Sequence, residues 1–64
     1  MSAASRSREL GEARRSKILE WLREEGSARV RDLASAFSVS EVTVRQDLEQ
    51  LEADGHVVRE HGGA

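Results

Sequence analysis

Apolar side chains recur along this chain in three patches with helical spacing. Ile18, Leu19 and Leu22 stand at i, i+1 and i+4, with Ala13 ahead of them. This stripe predicts a helix over residues 12–25, closed by Gly26. Trp21 lies beside the stripe and reads as a core edge. Leu33, Ala34 and Phe37, with Val30 one turn earlier, predict a second, short helix over 30–37. Ser38-Val39-Ser40 follows as a tight turn. Val44, Leu48 and Leu51 then run at i, i+4 and i+7, which predicts a third helix over 41–54 with Gly55 as its stop. Its start is well marked. Ser40 can accept from a free N–H of the first turn, and Glu41 sits where the helix dipole favours an anion. Val39 and Val44 have the spacing of a hydrophobic staple.

The remaining pieces are short. Residues 27–29 suit a brief extended segment, and Val57 and Val58 lie in an extended stretch from 56 to 61. Pairing of 27–29 with 56–60 predicts a small two-stranded sheet beneath the helices. Gly62-Gly63 predicts a turn. Residues 1–9 are polar without apolar period, which predicts a flexible arm ahead of a single domain over 10–64. The fold class expected is therefore mainly α with a small β-sheet. Two helices joined by a three-residue turn, the second with a polar outer face, follow the helix-turn-helix plan. A strand and glycine turn directly after them suggest its winged variant.

Composition narrows the function. A chain of 64 residues buries only ~60% of the surface its unfolded form exposes, which excludes an enzyme with its own deep cleft. The chain has no cysteine, so neither a disulfide framework nor a zinc finger is expected. His56 and His61 are five apart on an expected strand and point to opposite faces. Two such histidines are not a zinc set. No cofactor, no metal and no catalytic residue is expected. No run of ~18 apolar residues is present, and the N-terminus lacks the apolar core of a signal peptide. No membrane role is expected, and the cytoplasm is the default compartment.

Net charge is −2, which taken whole argues mildly against nucleic acid. Its distribution argues the other way. Residues 1–31 hold eight basic and five acidic side chains, and residues 32–64 hold two and seven. Arg6, Arg8, Arg14, Arg15 and Lys17 precede or open the first helix. They suit a grip on phosphates or an adjacent minor groove, and equally a solvated helix face.

The third helix carries the most specific pattern. At 100° per residue from Val44, Leu48 and Leu51 fall within about 40° of it and define the buried side. Val42 and Gln46 fall at about 160° and 200°, nearly opposite, with Thr43 and Arg45 on the flanks. All four are near the helix N-terminus, the part of a major-groove helix that reaches base edges. Gln46 suits adenine, Val42 suits a thymine methyl, and Arg45 suits guanine or phosphate. Ser40 and Thr43 suit phosphates.

The run Ser40-Glu41-Val42-Thr43-Val44-Arg45-Gln46-Asp47-Leu48 resembles the helix-turn-helix core of the DeoR family of bacterial transcription regulators. The resemblance extends upstream through Arg14, Ile18, Leu22, Gly26, Asp32-Leu33-Ala34 and Phe37. Downstream it runs through Leu51, Gly55, Arg59 and His61-Gly62-Gly63-Ala64. It covers roughly residues 14–64, and the joint spacing carries it more than any one element. It implies a winged-helix domain whose third helix docks in the major groove of double-stranded operator DNA, with Arg59 and His61 among the DNA contacts. It also implies a repressor, less often an activator, of sugar or nucleoside metabolism genes. Family members usually carry a larger C-terminal domain that oligomerises and senses a phosphorylated sugar. The chain is therefore expected to be the DNA-binding fragment of a homo-oligomeric parent, with its wing truncated. It departs from the family at Gln46, where a second Arg is common, at Ser38, where Gly is common, and at Glu60, where an apolar residue is usual. The competing reading is a winged-helix protein-interaction module, which the acidic half would suit.

Overall fold

A computed structural model describes the backbone of residues 3–64 and the side chains of residues 10–64. Three helices form in order: α1 (Ala3–Glu25), α2 (Val30–Phe37) and α3 (Glu41–Ala53). Helix α3 packs on both α1 and α2. Ile18, Leu33, Val44 and Leu48 are fully buried where the three meet. Ala28, Val30, Ala34 and Leu51 complete the core, with Trp21, Leu22, Phe37 and Val39 packed around its edge. The apolar stripes thus turn inward as their spacing predicts, and burial of these side chains from all three helices is what holds a domain this small together.

Helix α2 has its expected bounds, and α3 ends one residue early, with Asp54 as its C-cap. Helix α1 differs. It begins at Ala3, so residues 3–9 are helical backbone continuous with α1. This corrects the expected start near residue 12. Ala, Arg, Glu and Leu are strong helix formers, and no proline interrupts them. Gly11 alone costs about 1 kcal/mol, too little to end a helix anchored downstream by Ile18. Met1, Ser2 and the side chains of Arg6 and Arg8 lie outside the described residues.

The turn between α2 and α3 is closed on both sides. Ser38 adopts the left-handed conformation at φ 55° as the C-cap of α2. The Val39 N–H donates to the Ala34 carbonyl at 3.0 Å, and the Ser38 N–H donates to Ser35 at 3.3 Å. Ser40 then caps α3: its Oγ accepts from the Thr43 N–H at 3.1 Å. Val39 and Val44 both pack into the core on either side of this cap, as the staple spacing predicts.

The tail after α3 corrects the expected sheet. Among the described residues only isolated bridges form, Arg29 with Gly63 and Glu60 with Gly63, both antiparallel. The partners of the 28–30 segment are residues 62–64, not 56–60. Ala28 and Ala64 exchange both backbone bonds, at 2.8 and 2.9 Å, and the Val30 N–H donates to Gly62 at 2.9 Å. The stretch expected as a strand is engaged elsewhere. The His56 N–H closes the end of α3 on Leu51 at 2.9 Å. The Arg59 N–H donates to the Glu52 carboxylate at 3.0 Å. Gly63 permits the final approach: a Cβ there would lie 2.1 Å from the Ala28 carbonyl oxygen.

Candidate nucleic-acid interface

The start of α3 collects five of the residues expected to face a duplex. Ser40 and Thr43 share a hydroxyl–hydroxyl hydrogen bond at 3.0 Å besides the cap itself. The first turn of α3 is therefore fixed while its leading N–H groups point out of the helix end. Val42 is 59% exposed, and Gln46 is exposed one turn further on. Arg45 stands on the flank, its Nη2 3.5 Å from Glu41 Oε1, with both side chains about half exposed. A contact of this kind contributes only about 0.3–0.5 kcal/mol, so Arg45 is readily released to another anion.

Arg59 and His61 do not join this cluster. Both lie on the tail. The Arg59 backbone is tied to Glu52 near the end of α3, about ten residues and 15 Å of helix beyond Val42. Its Nε donates to the Gly63 carbonyl at 3.4 Å. His61 is exposed.

Arg14 and Arg15 are also placed differently from an open phosphate grip. Both turn toward Asp47 on α3. The Nε of Arg14 donates to Asp47 Oδ2, and its Nη2 donates to Oδ1 at 3.1 Å. Arg15 Nη1 donates to the same Oδ1 at 3.3 Å. Asp47 is 3% exposed. The hydrogen bond to Asp47 raises the pKa of Arg14 above its ordinary value, and the carboxylate's charge adds to this against the opposing effect of burial. Sequence reasoning missed this cluster. A signal was present: Asp47 falls at about 300° on the same wheel, between Thr43 and Leu51. A carboxylate on that side of a helix needs cationic partners.

A second surface feature lies away from α3. An open groove of about 690 Å³ runs between α1 and α2, with Trp21 and Phe37 in its lining and four carboxylates, Glu20, Glu24, Glu25 and Asp32, against two cations, Lys17 and Arg29, around it. No residue of α3 lines it, so this acidic groove and the start of α3 are separate surfaces. No helix is long and apolar enough to cross a membrane, and no group of three potential metal ligands forms, both among the described residues.

Comparison with known proteins places these features. A protein of Escherichia coli (strain K12) named as a galactitol utilization operon repressor is 51% identical over 51 residues, covering 80% of this chain and 46% of that protein. The HTH-type transcriptional repressor CutR of Bacillus subtilis (strain 168) is 46% identical over 50 residues, covering 78% of this chain and 26% of its own. An aga operon transcriptional repressor of Escherichia coli O157:H7 is 49% identical over 51 residues, covering 80% and 19%. The chain thus spans less than half the length of these relatives. No solved structure matches. The model of the DeoR-like helix-turn-helix domain matches residues 14–64, from Arg14 on α1 through the capped turn and α3 to the glycine tail, and the chain belongs to that family.

Proposed function

We propose that this chain is the operator-reading head of a bacterial transcription regulator, a repressor of sugar or nucleoside metabolism genes. The observation that carries the reading is the start of α3. There a capped helix end holds Val42 and Gln46 outward, with Ser40, Thr43 and Arg45 around them, in a chain of the DeoR-like helix-turn-helix family. Such a helix enters the major groove of double-stranded DNA by its N-terminal half. Glu49, exposed one turn beyond Gln46, keeps the C-terminal half away from phosphate. Val42 and Gln46 read bases, and Ser40, Thr43 and Arg45 position the helix on the backbone.

The rest of the proposal follows from the family. The domain is a winged helix, with the turn at 60–63 as part of its wing. Arg59 and His61, on the tail after α3, add contacts apart from those of the reading helix. Residues 1–9 form a basic arm whose Arg6 and Arg8 add phosphate contacts. The parent protein is cytoplasmic and homo-oligomeric, takes a phosphorylated sugar as effector, and performs no catalysis. The names of the relatives as repressors support repression as the sign of regulation.

Binding-site selection tests the division of labour on α3. Gln46→Ala is expected to relax preference at one base pair by ~1–3 kcal/mol. Thr43→Ala is expected to weaken every duplex alike with the order of preference unchanged. The reverse pattern means that the reading face is rotated by about one residue. Failure of the wild-type chain to bind any duplex in a salt-dependent way returns the protein-interaction module as the function.

A further inference from the structure

We propose that Asp47 is a specificity-determining residue that acts as a phosphate stand-in inside the fold. It occupies the guanidinium groups of Arg14 and Arg15 and withholds them from indiscriminate contact with the DNA backbone. The inference rests on the DNA-binding reading above and deepens it.

The geometry supports a competitor rather than a simple tether. A carboxylate and a phosphate present the same kind of paired oxygen acceptors, and an arginine fork binds either one. In this chain the fork of Arg14 is filled from both sides of the carboxylate, and Arg15 shares one of its oxygens. The acceptor is buried, whereas the two arginine side chains retain 19% and 25% of their exposure. They therefore lie at the rim of the α1–α3 contact. That rim borders the reading helix. Asp47 is four residues after Thr43, hence one turn along the same edge of α3, and Thr43 is a proposed phosphate contact. Gly11 leaves the room for the cluster: a Cβ there would stand 3.1 Å from Arg15 Nη1. Without the carboxylate, two long cations would stand at the edge of the DNA-facing surface. Free cations there would strengthen attraction to every sequence, because phosphate contacts carry no base information. Held on Asp47, they fix α1 across α3 and leave discrimination to Val42 and Gln46.

Asp47→Asn tests this, since it keeps size and one acceptor and removes the charge. The wild-type chain and the variant are titrated with the preferred duplex from the selection and with an unrelated duplex, over a range of KCl. The expected result is a steeper plot of log K against log salt, by ~0.9 for each further phosphate neutralised. The ratio of affinities for the two duplexes narrows. Adding Arg14→Gln and Arg15→Gln to the variant returns the slope to its wild-type value. An unchanged slope and ratio in a folded Asp47→Asn chain overturns the proposal. A second measurement needs no substitution. In the wild-type chain the NMR signal of the Arg14 Nε–H is expected to keep its position on saturation with duplex, because the hydrogen bond to Asp47 persists. Its displacement by DNA overturns the proposal even if the variant does not fold. Absence of any salt-dependent binding by the wild-type chain fails the DNA-binding reading itself and is thereby distinguished.

Discussion

Two helices of this domain end in the same way and lead to different kinds of structure. After α2 the chain turns through Ser38 at φ 55°, and after α3 it turns through Gly55 at φ 81°. In each case backbone N–H groups just past the helix fold back on its last carbonyls. The first turn then enters α3 within two residues, and every bond that fixes it lies between residues 34 and 44. The second opens into a tail fixed by Glu52 on α3 and by Ala28 and Val30, on the far side of the sequence. Local closure thus supports the reading surface, and distant closure supports the tail. A serine is tolerated in the first turn because neighbouring bonds determine its conformation. Gly63 in the tail has no substitute, because a Cβ would meet a backbone oxygen that cannot move aside.

The largest effect expected on stability tests the distant closure. Gly63→Ala puts a methyl against the Ala28 carbonyl and removes the bond pair between Ala28 and Ala64, a loss of about 2 kcal/mol at about 1 kcal/mol per hydrogen bond. Urea unfolding followed by circular dichroism measures it. Hydrogen exchange is expected to show lost protection at Ala28, Val30 and Ala64, with α3 retained. Ser40→Ala tests the local closure. Removal of the cap is expected to cost about 1 kcal/mol in the same unfolding experiment, and fraying is expected to be confined to the first turn of α3. A larger loss for Ser40→Ala than for Gly63→Ala would reverse the comparison. The smallest change sharpens it. Ser38→Gly relieves the left-handed serine but adds freedom to the unfolded chain, so a net gain of about 0.5 kcal/mol is expected. A loss would mean that the Ser38 side chain contributes to the turn.

The same contrast explains what was legible in the sequence. The bounds of α2, the Ser40 cap, the Val39–Val44 pair and the inward face of α3 all follow from residues within a few positions of one another. Periodicity and capping chemistry describe such neighbours directly. The misplaced sheet depends on which distant segment meets residues 28–30. Val57 and Val58 suggest a strand by their type, yet Val58 is 79% exposed and the pairing falls on 62–64. Arg14 and Asp47 are 33 residues apart. Charge type alone does not reveal that an arginine suited to phosphate has a carboxylate partner within the fold. The start of α1 is obscured for another reason: polar helix formers carry no apolar period, so the pattern does not mark where the helix begins.

The junction of Ala28 with Ala64 also has a bearing on the order of events in folding. Helices α2 and α3 can meet as soon as one short turn forms, so their shared core needs little loop closure. Joining Ala28 to Ala64 closes a loop of more than half the chain, and entropy opposes that step until the helices between them are already packed. The tail is thus the last part to fasten and the first to come loose. Its detachment is a separate, lower-energy opening of the native molecule that leaves the capped turn and the reading helix standing.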